Sequence, residues 1–235
     1  MCRFATPLLL LYGCLLLLDS CSPSDGNFRL EGQFKNMNQG AFYIIDHEHG
    51  HKDTIRVNDG RFTYVLPLRD TLTLTMLFPN FSEIPVFAQP GAQVTMKGDV
   101  SHLKETEVKG TADNDAMTAF RLNVAQLTPP EAERQAEQYI GEHASSPVSL
   151  YLLQRYFLSR HHTDYAKATK LCRLMADVCG DRKSGSYMAV KVGALLDQLQ
   201  SVKNHREKGT LPAFKATDTE GRTVTQADMK RKVNR

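Results

Sequence analysis

The chain has 235 residues, of which 41% are hydrophobic and 23% are charged, and its formal net charge is +3 at pH 7. With 15 glycines and 10 prolines, the composition is that of a folded protein, and it excludes collagen-like, mucin-like and wholly disordered chains. The length allows one large domain or two modest ones. No basic cluster is typical of nucleic-acid-binding proteins, so we expect no nucleic-acid partner.

The first 20 residues have the pattern of a signal peptide. A short positive region ends at Arg3, and an apolar stretch follows from Phe4 to Leu18. This stretch is shorter than the roughly 20 residues that a membrane-spanning helix needs, but it matches the apolar part of an export signal. We therefore predict a lipoprotein signal peptide over residues 1–20. A non-lipidated signal peptide and a weak membrane anchor are the alternatives.

The sequence Leu18-Asp19-Ser20-Cys21 resembles a lipobox. In such signals the cysteine thiol is alkylated with diacylglycerol, and the cysteine becomes the new amino terminus. We expect Cys21 to carry membrane lipid, including palmitate, and residues 21–27 to form a tether. Each buried methylene of an acyl chain contributes about 0.8 kcal/mol to membrane binding. The expected location is the cell envelope, on the outer or inner membrane, facing the periplasm or the cell surface.

Residues 28–112 are predicted to form a β-rich domain, because apolar residues alternate there with a period of two. Asn58-Asp59-Gly60 predicts a hairpin with a type I′ turn, and Gln89-Pro90-Gly91 predicts a type II turn. Short alternating runs separated by such turns favour an antiparallel sandwich or a curled sheet. The predicted strands are residues 28–30, 41–45, 54–57, 62–66, 72–76, 85–88 and 94–96.

Three alternating histidines, His47, His49 and His51, are the candidate metal ligands. On an extended strand they would share one face, and three imidazoles suit zinc or copper. However, this segment lies where the chain must turn between two predicted strands, and Gly50 interrupts the alternation. We therefore favour a turn over a metal site, and we predict no cofactor and no catalytic residue.

Residues 113–205 are predicted to form a helical region, because the apolar period changes to 3.6. Thr128-Pro129-Pro130-Glu131 has the pattern of a capping box with proline at the first helical position, and Ser146-Pro147 begins another helix in the same way. We expect four or five helices that form a small bundle or pack against the sheet.

Two cysteines, Cys172 and Cys179, lie in this region with C-x6-C spacing. Within one helix they would be about 10 Å apart, whereas a disulfide needs Cα atoms within about 7 Å. The pair can form a disulfide only if the helix ends between them, which Gly180 leaves open. We favour two small thiols packed in the core.

Residues 206–235 are predicted to form a basic tail, since residues 201–235 contain 9 basic and 4 acidic side chains. Leu211-Pro212-Ala213-Phe214 and Val224-Thr225 are strand-like, and Asp218-Thr219-Glu220-Gly221 is typical of a turn.

Residues 53–62 and 86–94 resemble the β-rich domain of unknown function at the amino end of Bacteroidota thioredoxin-like lipoproteins. Residues 209–214 and 218–221 are similar to the opening of a thioredoxin-like or peroxiredoxin-like domain. The resemblance implies an envelope lipoprotein related to thiol-disulfide oxidoreductases. The family's Trp-Cys-x-x-Cys motif has no counterpart, because the chain contains no tryptophan and no C-x-x-C sequence.

The expected fold class is therefore α+β, with an antiparallel β-sandwich-like domain, a helical region and an incomplete thioredoxin-type opening. We expect a non-enzymatic binding or spacer module whose partner is an unknown envelope protein or ligand. The alternative is a truncated thiol-disulfide oxidoreductase or peroxiredoxin-like enzyme.

Overall fold

The computed structural model describes residues 26–159, 163–207, 215–217 and 222–225. The amino-terminal half of this part consists mainly of strands, and all seven predicted strands are found, with an eighth added after them. The strands of the main sheet are β1 (Asn27–Lys35), β2 (Gln39–Asp46), β3 (His51–Asn58), β4 (Arg61–Pro67), β5 (Leu72–Leu77), β6 (Glu83–Ala88), β7 (Gln93–Asp99) and β8 (Glu107–Lys109).

These eight strands form one sheet in the order β6-β5-β2-β3-β4-β1-β7-β8. The α+β class is thus confirmed, but the prediction of an antiparallel sheet was wrong at one pairing, because β1 and β7 run parallel. Only four residues connect β6 to β7, a link of at most about 18 Å. In a flat sheet the six strand spacings between them would measure about 29 Å. The sheet must therefore curl until its two ends approach each other.

The curled sheet encloses its own apolar core. In β1 buried residues alternate with exposed ones along the whole strand, so one face points inward and the other faces solvent. Four phenylalanines meet inside, and the ring centroids of Phe34 and Phe42 lie 5.0 Å apart, those of Phe42 and Phe78 4.7 Å. The fourth, Phe62, covers the hydrogen-bearing Cα of Gly32 on the neighbouring strand, where an added Cβ would overlap the ring.

Both predicted turns are found. At the β3–β4 hairpin Asp59 and Gly60 have φ angles of +48° and +71°, as a type I′ turn requires. At the turn before β7, Gly91 has a φ angle of +72°, and the Ala92 N–H donates to the Gln89 carbonyl oxygen at 3.1 Å. These turns fix where β4 and β7 begin, and hence which of their side chains face outward.

The second half is helical. Its helices are α1 (Ala112–Val124), α2 (Pro129–Glu142), α3 (Pro147–Leu153), which continues into a π-helical turn over Gln154–Leu158, α4 (Tyr165–Cys179) and α5 (Tyr187–Glu207). The predicted helix starts are confirmed: the Glu131 carboxylate accepts from the Thr128 N–H at 2.9 Å, and Ser146 Oγ accepts from the Val148 N–H at 3.1 Å. No helix in the described part is long and apolar enough to cross a bilayer.

Helix α1 covers both edges of the curled sheet. On the β6 edge, Asn114 accepts from the Phe87 N–H at 2.9 Å and donates to the Phe87 carbonyl oxygen at 2.8 Å. One turn later, Thr118 Oγ1 accepts from the Val108 N–H of β8 at 3.0 Å and donates to its carbonyl oxygen at 2.8 Å. The Arg121 guanidinium then donates to the Thr106 carbonyl oxygen. Side chains of one helix thereby take the place of a missing strand on each edge.

All five helices contribute to a second core, which also includes Phe87 of β6. Phe87 points away from the sheet interior and packs with buried residues of the helices, and its ring lies edge-on to Tyr151 at 6.3 Å. In the carboxyl-terminal part, β9 (Lys215–Thr217) pairs antiparallel with β10 (Thr223–Thr225), which contains the predicted strand residues Val224 and Thr225.

Candidate functional site

The predicted lipidation site and the two cysteines of the helical region have different outcomes. Cys21 lies outside the described residues. Cys172 and Cys179 both lie in α4, which does not end between them, and both thiols are free. Cys172 is fully buried, with its Sγ 3.6 Å from the Val192 carbonyl oxygen, and burial raises its pKa to about 11. Burial also raises the pKa of Cys179. Both side chains are therefore protonated near neutral pH, when a thiol is a poor nucleophile.

The three candidate histidines lie at the β2–β3 turn and point to different partners. Asp46, the last residue of β2, accepts from the backbone N–H of Glu48 at 2.8 Å and of His49 at 3.0 Å. Its other oxygen lies 2.6 Å from His49 Nδ1. Partial burial acts to raise the pKa of Asp46, but the hydrogen bonds from His49 and Glu48 outweigh it and lower the pKa overall. These hydrogen bonds serve to build the turn.

His51 is held separately, with Nε2 3.1 Å from Asp53 Oδ1 on its own strand, and His47 faces the helices. Across the part of the chain that the structure describes, no three His, Cys, Asp or Glu side chains are placed to hold a metal ion. The alternation of the histidines in the sequence therefore does not produce a shared face, because the turn begins at His47.

An open pocket of about 680 Å³ lies on the outer face of the sheet. Its floor is the backbone of Phe62 on β4, Gly32 on β1 and Met96 on β7, which are paired across the sheet. Two rows of outward side chains flank this floor. The first row is Thr63, Glu31 and Thr95, and the second is Arg61, Gln33 and Lys97. Arg56 and Asn58 of β3 complete the lining. We call this the sheet-face pocket.

The sheet-face pocket is rich in hydrogen-bond donors and carries a surplus of positive charge. Arg56, Arg61 and Lys97 form no ion pair and no side-chain hydrogen bond with any residue in the described ranges. The single carboxylate of the lining, Glu31, already accepts from Arg29 Nε at 2.7 Å. The three cations are therefore available to a ligand, and all three side chains are exposed.

A second cleft, of about 550 Å³, lies between the sheet and the helices. Here the charges are satisfied within the protein, because the Lys191 ammonium of α5 pairs with the Glu48 carboxylate of the β2–β3 turn. Burial raises the pKa of Tyr151 and of Tyr187, so both phenols stay protonated near neutral pH. Residues of α3, α5 and the sheet line this cleft, and its lysine is paired within the protein. The cations of the sheet-face pocket, in contrast, have no partner among the described residues.

The residues of the sheet-face pocket were missed by the sequence analysis. Alternation does place Arg56, Arg61 and Lys97 on outward faces of their strands. It does not reveal that β7 lies beside β1, which brings Lys97 within two strand spacings of Arg61. The outward basic residues Arg56 and Arg61 on the consecutive strands β3 and β4 were the signal that could have indicated part of the pocket.

Comparison with known proteins finds a match for one part of the chain only. No curated protein and no solved structure matches it. A family model matches residues 18–117, which include all eight strands of the sheet and the first half of α1. This match confirms the prediction of a domain of unknown function in the β-rich part, and the sheet-face pocket lies wholly within the matched residues. The matching family is described as a domain of unknown function, DUF4369, and its model matches residues 18–117 of the chain.

Proposed function

We propose that the protein is a membrane-anchored lipoprotein of the cell envelope that acts as a non-enzymatic binding or spacer module. In this proposal Cys21 carries the lipid, and the chain corresponds to the amino-terminal part of a Bacteroidota thioredoxin-like lipoprotein. The single observation that favours binding is the sheet-face pocket, because it offers free cations and hydrogen-bond donors on an open surface.

The state of the two free thiols also supports a non-enzymatic role. A redox-active cysteine needs an accessible thiolate, whereas Cys172 is buried and its pKa is raised to about 11 by burial. Cys179 is partly buried, with its Sγ 3.8 Å from the Ala144 carbonyl oxygen. Because both cysteines lie in one helix, seven residues apart, each sulfur contacts a different carbonyl oxygen and not the other sulfur.

The anchor is tested by metabolic labelling with radioactive palmitate in a host that processes lipoproteins. We expect label in the wild-type protein and none in the Cys21→Ala variant. Equal labelling of both proteins, or no labelling of either, would overturn the proposed anchor.

The expected absence of thiol-disulfide reductase activity is tested by the reduction of insulin with dithiothreitol as the electron source. We expect the precipitation rate with the protein to equal the rate without it. A faster rate that is abolished by Cys172→Ser would show that the buried thiol is catalytic and that the alternative oxidoreductase function is correct.

A further inference from the structure

We infer that the sheet-face pocket binds an anionic oligosaccharide, a chain of hydroxylated rings that carries carboxylate, phosphate or sulfate groups. This inference rests on the proposed binding function and specifies its ligand class. It follows from the positions of the three free cations, from the hydrogen-bonding side chains between them, and from the pairing of β1 with β4 and β7 beneath the pocket.

The cations are spaced for more than one anionic group. Arg61 and Lys97 are each paired with Gln33, on opposite sides of it. Their Cα atoms are therefore two strand spacings apart, or about 10 Å. From these positions the two long side chains can each meet a separate charged group on one ligand chain, and their charged ends can also converge on one small oxyanion. Inorganic phosphate is therefore included among the probes of the binding test. Arginine also binds carboxylate, phosphate and sulfate groups with paired hydrogen bonds.

The surface between the cations suits a hydroxylated ligand. Gln33 lies directly between Arg61 and Lys97, Thr63 and Thr95 stand in the adjacent row, and Asn58 lies at the edge. Amides and hydroxyls both donate and accept hydrogen bonds, so they match the hydroxyl groups of sugar rings. The pocket volume of about 680 Å³ is in the range of small-molecule binding sites.

The strands under the pocket favour recognition through side chains. β1 is paired along its length with β4 on one side and β7 on the other, so its backbone offers no free edge for an added peptide strand. β1, the central strand of the pocket floor, therefore cannot take up an acidic peptide by strand addition, whereas β3 and β4 pair with each other only at Asn58 and Arg61. The large apolar side chains of Phe62 and Met96 point into the core and leave the outer face polar.

The test measures binding by calorimetry with the purified full chain. The probes are a heparin-derived tetrasaccharide, trigalacturonate, uncharged maltotetraose, inorganic phosphate and vesicles containing an anionic phospholipid. We expect at least one anionic oligosaccharide to bind, binding that weakens with added salt, and no comparable binding of maltotetraose or phosphate.

The key variant carries Arg56→Gln, Arg61→Gln and Lys97→Gln. The three side chains are exposed, so the fold should be unchanged, and binding should weaken by about tenfold or more. The matched control, with Arg134→Gln, Lys170→Gln and Arg173→Gln, has the same net charge but leaves the pocket intact. It should bind like the wild type.

Several results would overturn the inference. They are no binding of either anionic oligosaccharide, equal binding by the pocket variant, equal binding of maltotetraose or of inorganic phosphate, or binding of the vesicles alone, which would identify a lipid surface as the ligand. These outcomes are distinct from failure of the proposed lipoprotein function, which the palmitate and insulin experiments measure independently.

Discussion

The contact between Asn114 and β6 predicts a large loss of stability in the Asn114→Ala variant. Asn114 is 1% exposed and Phe87 is fully buried, so water cannot replace the lost amide. The change leaves the N–H and the carbonyl oxygen of Phe87 without their partner. Each buried, unsatisfied backbone group costs about 1–3 kcal/mol, so we expect the free energy of unfolding to fall by about 2–6 kcal/mol.

Urea denaturation followed by circular dichroism measures this loss, with the midpoint expected to fall and the slope to stay unchanged. The control is Asn123→Ala, which makes the same chemical change on an exposed position of the same helix. It should change the stability by less than about 0.5 kcal/mol. If the two variants differed by less than about 1 kcal/mol, the reasoning that α1 supplies the missing hydrogen bonds of the β6 edge would be refuted.

Four further measurements probe the sheet and the buried thiol. Thr118→Val keeps the side-chain shape but removes both hydrogen bonds to β8. The urea midpoint should therefore fall by the equivalent of about 2–6 kcal/mol, and a loss below about 0.5 kcal/mol would contradict this. Gly32→Ala places a methyl group where the Phe62 ring lies and should lower the thermal midpoint of unfolding. Adding Phe62→Leu to this variant should restore part of the loss. An unchanged midpoint in the single variant would disprove the close packing. Cys172 should resist alkylation by iodoacetamide at pH 8 until denaturant is added, which peptide mass spectrometry measures. Labelling of Cys172 as fast as that of Cys179 would contradict its burial. Because its folded pKa is raised from 9.0 to about 11, the folded state holds a proton that the unfolded state loses, so stability should fall as the pH rises between these values.

Local patterns in the sequence were sufficient for the strands, the two turns and the helix starts. Each depends on residues that are close in the chain: the alternation in β1, the positive φ angles at Asp59 and Gly60, and the carboxylate of Glu131 at its own helix terminus. Such features need no knowledge of which elements become neighbours.

The parallel pairing of β1 with β7 depends on residues more than 60 positions apart, so no local pattern indicates it. The same pairing creates the sheet-face pocket, because it places Lys97 beside Gln33. The role of Asn114 was also hidden, since polar residues on a helix normally indicate a solvent-facing side. Its burial becomes understandable only when the uncovered edge of β6 is known.

The position of α1 has a consequence for dividing the chain into fragments. The family match ends at residue 117, after Asn114 and before Thr118. A fragment cut there would keep the side chain that serves β6 and lose the one that serves β8, so Val108 would present an unpaired N–H and carbonyl group to other chains. Exposed strands of this kind associate with one another. A fragment that keeps both edges of the sheet paired must therefore extend through the end of α1 at Val124, beyond the residues that the family model matches.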